Sequence, residues 1–339
     1  MAEHQVRFVF PDGEKTVVAG GQETILDAAR RQGLNIQAEC ELGLCGTCKA
    51  SLVKGEITVD EDDPEGLTIF DRRRNMILSC QSYAQSDLEL NVPYKLSSLK
   101  QFPEIEFEAT ILELRMEANS VVRLIVDAAQ AVDLKFRAGQ YANITVPGSV
   151  EERSFSFANA PGDSERLEFL VRILPDGLMS NYLRSEAKVG QVLKMRAPHG
   201  LFSLQESTQA LLFVAGGTGL GPFLSMLEDM ANKGGIKQAV HLLYGINNHL
   251  EELCSLARLD ELKSILPTFD YTIAEANGSP DWSGETGFVT DLISDSLLFD
   301  NKAEVYLCGP PPMIDAGLAR LEQMGLPGDN IYYEKFIAS

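Results

Sequence analysis

Three cysteines fall within nine residues in AECELGLCGTCKASL, at Cys40, Cys45 and Cys48, and a fourth, Cys80, stands in ILSCQS. The spacing is C-x4-C-x2-C-x31-C. Thiolates in this number bind zinc or an iron-sulfur cluster. Zinc sites usually carry C-x-x-C knuckles on both arms, whereas here one arm bears three cysteines and the other a single one. A C-x4-C-x2-C run followed by a remote cysteine is the plant-type arrangement for a 2Fe-2S cluster, with Cys40, Cys45, Cys48 and Cys80 as the metal ligands. Buried free thiols, zinc and disulfides are the alternatives. Gly43 and Gly46 let the loop turn tightly and bring amides toward the sulfurs, where hydrogen bonds help set the potential. Cys254 lies in an ordinary helical stretch and reads as core.

Two further groups can handle phosphate and aromatic rings. In RSFSF, Arg153 is suited to a phosphate and Ser156 to a ring nitrogen, while Gly177 to Ser180 in PDGLMSNYL can present amides at a helix start to a pyrophosphate. The turn AGGTGLGP, residues 215–222, leaves an apolar strand and enters a helix expected to begin at Pro222. It reads G-x-G-x-G-P, so the G-x-G-x-x-G dinucleotide fingerprint is not met, and HLLYGINN ends without the acid that usually binds ribose. The turn gains weight from YLCGPPPMI, which sets Cys308 and Gly309 at the carboxyl end of a later strand of the same sheet.

The elements that must position these groups divide the chain of 339 residues into three patterns. Residues 1–95 read as a small α+β unit: HQVRFVF and KTVVA form a hairpin around PDGE, ETILDAARRQGLNI is a short helix stopped at Gly33, and SDLELNVP is a closing strand. Residues 96–104 have linker character. Residues 105–206 carry FEATILELRME, VVRLIVDA, QYANITVP, RSFSFANAP, LEFLVRIL and QVLKMRAPHG, closely spaced strands that favour a closed antiparallel barrel. In residues 207–339 short apolar runs, ALLFVAG, QAVHLLYG, FDYTIAEA, FVTDLI and AEVYLCG, alternate with helical segments, the signature of a parallel α/β sheet.

With these motifs in place, residues 1–95 resemble plant-type ferredoxins, which implies a β-grasp fold and a one-electron carrier. R-x-F-S, G-G-T-G-x-G-P and C-G-P-P, in that order, resemble the ferredoxin-NADP reductase family over residues 105–339. That resemblance implies FAD on the barrel, contacted by Arg153, Ser154, Phe155 and Ser156, by Val171, Arg172 and Ile173, and by Gly177, Met179 and Ser180. It implies a nicotinamide nucleotide near Gly217, Thr218, Gly219, Cys308, Gly309 and Pro310, with Phe336 close to the flavin. Ser156, Thr218 and Cys308 are the residues expected to serve the hydride step. Many relatives have tyrosine in R-x-Y-S; Phe155 keeps the ring and loses a hydroxyl. The whole chain is similar to reductase components of bacterial multicomponent oxygenases, nearest to the benzoate and toluate 1,2-dioxygenase group. This implies electron flow from NADH to FAD to the 2Fe-2S cluster to a Rieske oxygenase acting on an aromatic acid. Reductases of diiron hydroxylases for phenol or methane share the domain order and are the alternative. A ferredoxin-like carrier or sensor is a third reading; it predicts no bleaching of a bound flavin by NADH.

Charge narrows the rest. Lys and Arg number 29 against 49 Asp and Glu, a formal net charge of -20, which disfavours nucleic acid and anionic membranes as partners. No basic residue occurs between Lys237 and Arg258 or between Lys263 and Lys302, where the extra phosphate of NADP would need one, so NADH is the expected donor. MAEHQVRFVF has no signal-like region and no apolar run approaches the roughly 18 residues of a membrane span, so a cytoplasmic, membrane-free protein is expected, with monomer the default. The four histidines, His4, His199, His241 and His249, are read as surface or structural.

Overall fold

Phe10 pairs with Gly13 across Pro11 and Asp12, so the first alternating run does fold back as a hairpin of strands Glu3–Phe10 and Gly13–Gly20. The computed structural model describes residues 3–38, 41–60, 62, 64–99, 102–162, 165–205, 207–300 and 302–336. It falls into two compact units, 1–101 and 102–339.

In the first unit a five-stranded mixed sheet runs in the order Gly13–Gly20, Glu3–Phe10, Leu88–Asn91, Lys49–Lys54, Met76–Leu78, with Glu3–Phe10 and Leu88–Asn91 parallel. Helix Ile25–Arg31 starts where Thr24 Oγ1 accepts from Asp27 N (3.1 Å) and is followed by Gly33 at φ +78°. Its Ile25, Leu26, Ala28 and Ala29 are buried with Val6, Phe8 and Leu90 of the sheet, in the β-grasp arrangement.

The second unit holds two cores. Six antiparallel strands run in the order Glu152–Ser156, Tyr141–Thr145, Val192–His199, Ile105–Ala118, Val121–Asp127, Arg166–Arg172. A bridge between Phe157 and Phe169, with Ala158 N donating to Glu168 O (2.8 Å), joins the two ends and closes the barrel. The six parallel strands that follow run Glu285–Thr286, Phe269–Glu275, Val240–Ile246, Leu211–Gly216, Glu304–Gly309, Ile331–Lys335. Leu211–Gly216 is buried throughout, as a central strand covered on both faces must be. From it the chain turns into helix Leu220–Asn232, whose Phe223 ring stacks on Phe213 at 4.7 Å; each fully buried ring contributes about 2 to 3 kcal/mol of apolar transfer.

Three expectations are corrected. The helix expected from Pro222 begins at Leu220, and Pro222 occupies its third position, where an amide would still lack an intrahelical acceptor. FVTDLI, grouped with the sheet-forming runs, is a 3-10 turn over Val289–Leu292: Val289 and Thr290 are buried and a Cβ on Gly245 would meet the Val289 side chain at 2.6 Å, so the run plugs the sheet face. Cys254 is core, but it lies in the break between helices His249–Glu252 and Leu256–Ile265, where Tyr244 Oη reaches its sulfur (3.3 Å).

Candidate functional site

Antiparallel pairing of Lys49 with Leu78 aligns the ends of two strands, and Ser79 N donates to Cys48 O (3.1 Å). That register sets the Sγ atoms of Cys48 and Cys80 3.2 Å apart, both buried. The hydrogen bond to Cys80, and then burial, push the Cys48 thiol far up. Two buried cysteine sulfurs in contact can both ionise only beside a neutralising cation, so the pair fits a metal-cluster site. Half-buried Cys45 lies near enough for its charge to act on Cys48, and Thr47 N points at its sulfur (3.5 Å). Cys40 lies outside the described residues, and among the described residues no three ligating side chains converge. Gly46, at φ +76°, has no room for a Cβ, which would stand 2.6 Å from Gly66 O.

Sequence reasoning missed what underlies this loop. Helix Ile69–Arg73 is capped by Thr68, whose hydroxyl accepts from Asp71 N (3.0 Å) while Asp71 Oδ2 accepts from Thr68 N (2.9 Å). The same oxygen accepts from Lys49 Nζ at 2.6 Å, with both side chains buried. A K after the third cysteine is the only sequence signal for it.

On the barrel, Tyr141–Thr145 pairs with Glu152–Ser156 so that Ser154 faces Asn143, and Ser154 Oγ donates to Asn143 Oδ1 (2.7 Å). Arg153 is largely covered, with Nη1 on Glu152 O (2.8 Å) and on Glu151 (3.3 Å). Phe155 is half-buried against the barrel core. Val171 and Met179 place their side chains inside that core, Ile173 packs at its edge, and Ser180 Oγ accepts from Leu174 N (2.9 Å). The Ser154, Val171, Met179 and Ser180 side chains are committed to the protein, so backbone groups are left to meet a ligand beside them. Gly177 caps helix Leu178–Ser185 with no side-chain acceptor, so the first amides of the helix suit a pyrophosphate and the residues fit a flavin nucleotide.

The strongest convergence is at the sheet. Leu211–Gly216 connects to Val240–Ile246 on one side and pairs with Glu304–Gly309 on the other, so the strand order reverses at their carboxyl ends. There the two glycine turns touch: a Cβ on Gly219 would lie 2.3 Å from Cys308 O, and one on Gly309 3.1 Å from Gly216 Cα. A Cβ on Gly221 would lie 3.8 Å from Ser156 O, so the barrel strand ends on the same turn. Thr218 is half-exposed at this mouth and its hydroxyl takes no side-chain hydrogen bond among the described residues. Pro310 caps helix Pro311–Gln323. Burial, with Glu334 adding, pushes the Cys308 thiol well up, which argues against a thiolate nucleophile there. Glu334, not singled out from sequence, lies opposite Cys308 with Oε2 4.0 Å from the sulfur, and Phe336 N donates to Gly309 O (2.8 Å).

Arg172 joins barrel and sheet. Its Nη2 donates to Glu252 Oε1 (2.6 Å), and a Cβ on Gly217 would lie 3.9 Å from both groups. Glu252 also accepts from Asn247 N (3.0 Å) and Nδ2 (2.9 Å), which ties down the loop after the second strand. Glu252→Ala is expected to cost about 1.5 to 3 kcal/mol, the usual contribution of hydrogen bonds to a charged group, and to raise KM for the nucleotide. Thermal unfolding of the purified variant checks it; an unchanged midpoint contradicts it. An acid does end the third strand. Glu275 is buried and accepts from His249 N (2.7 Å), His249 Nδ1 (2.8 Å), Ser279 N (2.5 Å) and Ser279 Oγ (3.0 Å). Burial opposes its charge, but these bonds outweigh it and hold the carboxyl at about 2. His249 is thus structural, pulled up by Glu275 and Asp281.

Three domain families match in tandem: the 2Fe-2S iron-sulfur cluster binding domain over residues 9–85, the oxidoreductase FAD-binding domain over 111–204 and the oxidoreductase NAD-binding domain over 213–317. The chain is therefore a ferredoxin joined to a flavin and nicotinamide-nucleotide reductase, carrying 2Fe-2S, FAD and NAD-binding domains. It is 36% identical to the anthranilate 1,2-dioxygenase electron transfer component of Acinetobacter baylyi over 99% of this chain and 98% of that protein. It is 38% identical to the toluate 1,2-dioxygenase electron transfer component of Pseudomonas putida over 99% of both. Reductase components of phenol and propane monooxygenases match at lower identity. Among solved structures, an Amycolatopsis cytochrome P450 reductase superposes with a TM-score of 0.70 at 26% identity, covering 98% of this chain and 100% of that one. This chain belongs to the family of dioxygenase electron transfer components. Among the described residues no helix is long and apolar enough to cross a membrane.

Proposed function

We propose that this protein carries electrons from NADH to the Rieske-type oxygenase component of an aromatic-acid dioxygenase, in the cytoplasm and as a monomer. NADH gives up two electrons as a hydride, a 2Fe-2S cluster takes one at a time, and FAD, which exchanges either number, connects them. The observation that carries the reading is the meeting of Gly219, Cys308 and Gly309 beside Ser156, at the sheet edge where nucleotides bind. Here Thr218 and Cys308 would orient the nicotinamide, Ser156 would hold the ring that receives the hydride, and Arg153 with the amides after Gly177 would anchor the flavin phosphates. Phe336, whose N donates to Gly309 O, would lie close to the flavin. No acid-base pair is required, since the work is orientation. Cys40, Cys45, Cys48 and Cys80 would hold the cluster from which electrons leave by protein contact.

The test is reconstitution with an oxygenase component of the benzoate type and, separately, a hydroxylase of the phenol type. Coupled NADH oxidation and substrate oxygenation with the Rieske protein alone is expected; coupling with the diiron protein alone overturns the partner assignment in favour of the alternative.

Cofactor choice is a second expected outcome. Glu251 and Glu252 follow the second strand, and residues 238–257 and 264–301 hold no arginine or lysine for a 2′-phosphate. The kcat/KM for NADH should exceed that for NADPH by about 100-fold, the order expected for a phosphate placed among carboxylates without a partner. Equal efficiencies contradict it.

A further inference from the structure

We propose that Lys49 and Asp71 form a charge pair beneath the cysteine loop that sets the reduction potential of the cluster, Lys49 raising it and Asp71 lowering it. The inference rests on Cys45, Cys48 and Cys80 being cluster ligands. Lys49 follows Cys48 directly, yet its side chain turns back under the loop: a Cβ on Gly46, between Cys45 and Cys48, would lie 2.7 Å from Lys49 Cε and 3.0 Å from Nζ. The ammonium thus lies against the backbone of the C-x-x-C segment. It is also buried, with side-chain exposures of 7% for Lys49 and 6% for Asp71, so water screens it little.

Lysine pays heavily for burial unless something fixes its charge in place. Asp71 does so, and Asp71 is itself held by the hydroxyl and amide of Thr68, which donate to Oδ2 at 2.8 and 2.9 Å. The carboxylate therefore cannot swing away, and Lys49 keeps a defined position. A glycine at residue 46 leaves the space that the lysine stem fills. A five-residue helix that builds no large core, Ile69–Arg73, gains a reason for its capping box: it presents Asp71.

A 2Fe-2S cluster on four thiolates becomes more negative by one charge when it accepts an electron. A fixed positive charge nearby favours that state and a fixed negative charge opposes it. The two partners must therefore act in opposite directions, whereas a pair that only stabilises the fold would shift the potential in one direction or not at all.

The experiment is a redox titration of the full chain, followed by the EPR signal of the reduced cluster, on the wild type, Lys49→Met, Lys49→Arg and Asp71→Asn. Lys49→Met is expected to lower the reduced-to-oxidised ratio at fixed potential by about three- to tenfold, and Asp71→Asn to raise it by a similar factor. Lys49→Arg should stay near the wild type. Shifts of the same sign, or none, overturn the proposal. If Lys49→Met does not retain its cluster, Lys49→Arg and Asp71→Asn decide: a potential that Asp71→Asn leaves unchanged or lowers overturns it. A wild type with no 2Fe-2S signal would sink the ligand assignment, whereas a wild-type signal with insensitive variants sinks only the charge pair.

Discussion

Cys80→Ser is expected to abolish the cluster while leaving the flavin reducible by NADH. Cys80 is buried with its sulfur 3.2 Å from Cys48, and the substitution changes volume little, so the first unit should remain folded. Changing groups that merely support metal ligands typically costs about 10- to 100-fold, so losing a ligand should cut transfer to a one-electron protein acceptor by more than about 100-fold. Ferricyanide, which can be reduced directly from flavin, should still turn over. Iron content, the visible spectrum and both acceptor assays check this. A variant that keeps its cluster and its protein-acceptor rate contradicts the assignment of Cys80.

Gly219→Val is expected to be the most damaging change at the nucleotide end. The first carbon of the new side chain would overlap Cys308 O at 2.3 Å and Cys308 C at 2.7 Å, both backbone atoms that cannot turn aside. The turn and the Cys308–Pro310 segment must therefore separate. A displacement of about 1 Å in a site that works by orientation costs on the order of 100-fold in kcat/KM. Gly219 lies in the 3-10 turn Gly217–Gly219 that follows the sheet strand, and Arg153 and Gly177 belong to the barrel unit's own elements, so flavin content should be retained. Steady-state kinetics with NADH, together with the flavin-to-protein ratio, separate the two effects. An unchanged kcat/KM contradicts the contact between the turns as the nucleotide site.

The features that could be read from sequence share a property: they are written in local spacing. The cysteine run is legible because cluster chemistry demands particular ligands at short intervals, and the barrel and sheet because alternating and continuous apolar runs differ in period. Groups whose roles depend on register were not legible. Glu334 matters because Ile331–Lys335 pairs with Glu304–Gly309 and so sets it opposite Cys308. Asp71 sits on a helix of five residues, too short for a helical period to announce. Glu252 and Glu275 look like surface acids until the loops after two parallel strands fold back on them. FVTDLI misled because a short buried apolar run has the same pattern whether it pairs as a strand or plugs a sheet face.

One chain is expected to convert a hydride into single electrons in a fixed order. Anaerobic rapid mixing with NADH, monitored at flavin and iron-sulfur wavelengths and by EPR of frozen samples, tests it most directly. The flavin should bleach first and a one-electron-reduced 2Fe-2S signal should then appear, with the second step missing in Cys80→Ser. A flavin that NADH does not bleach, or a cluster that stays oxidised after the flavin is reduced, contradicts it.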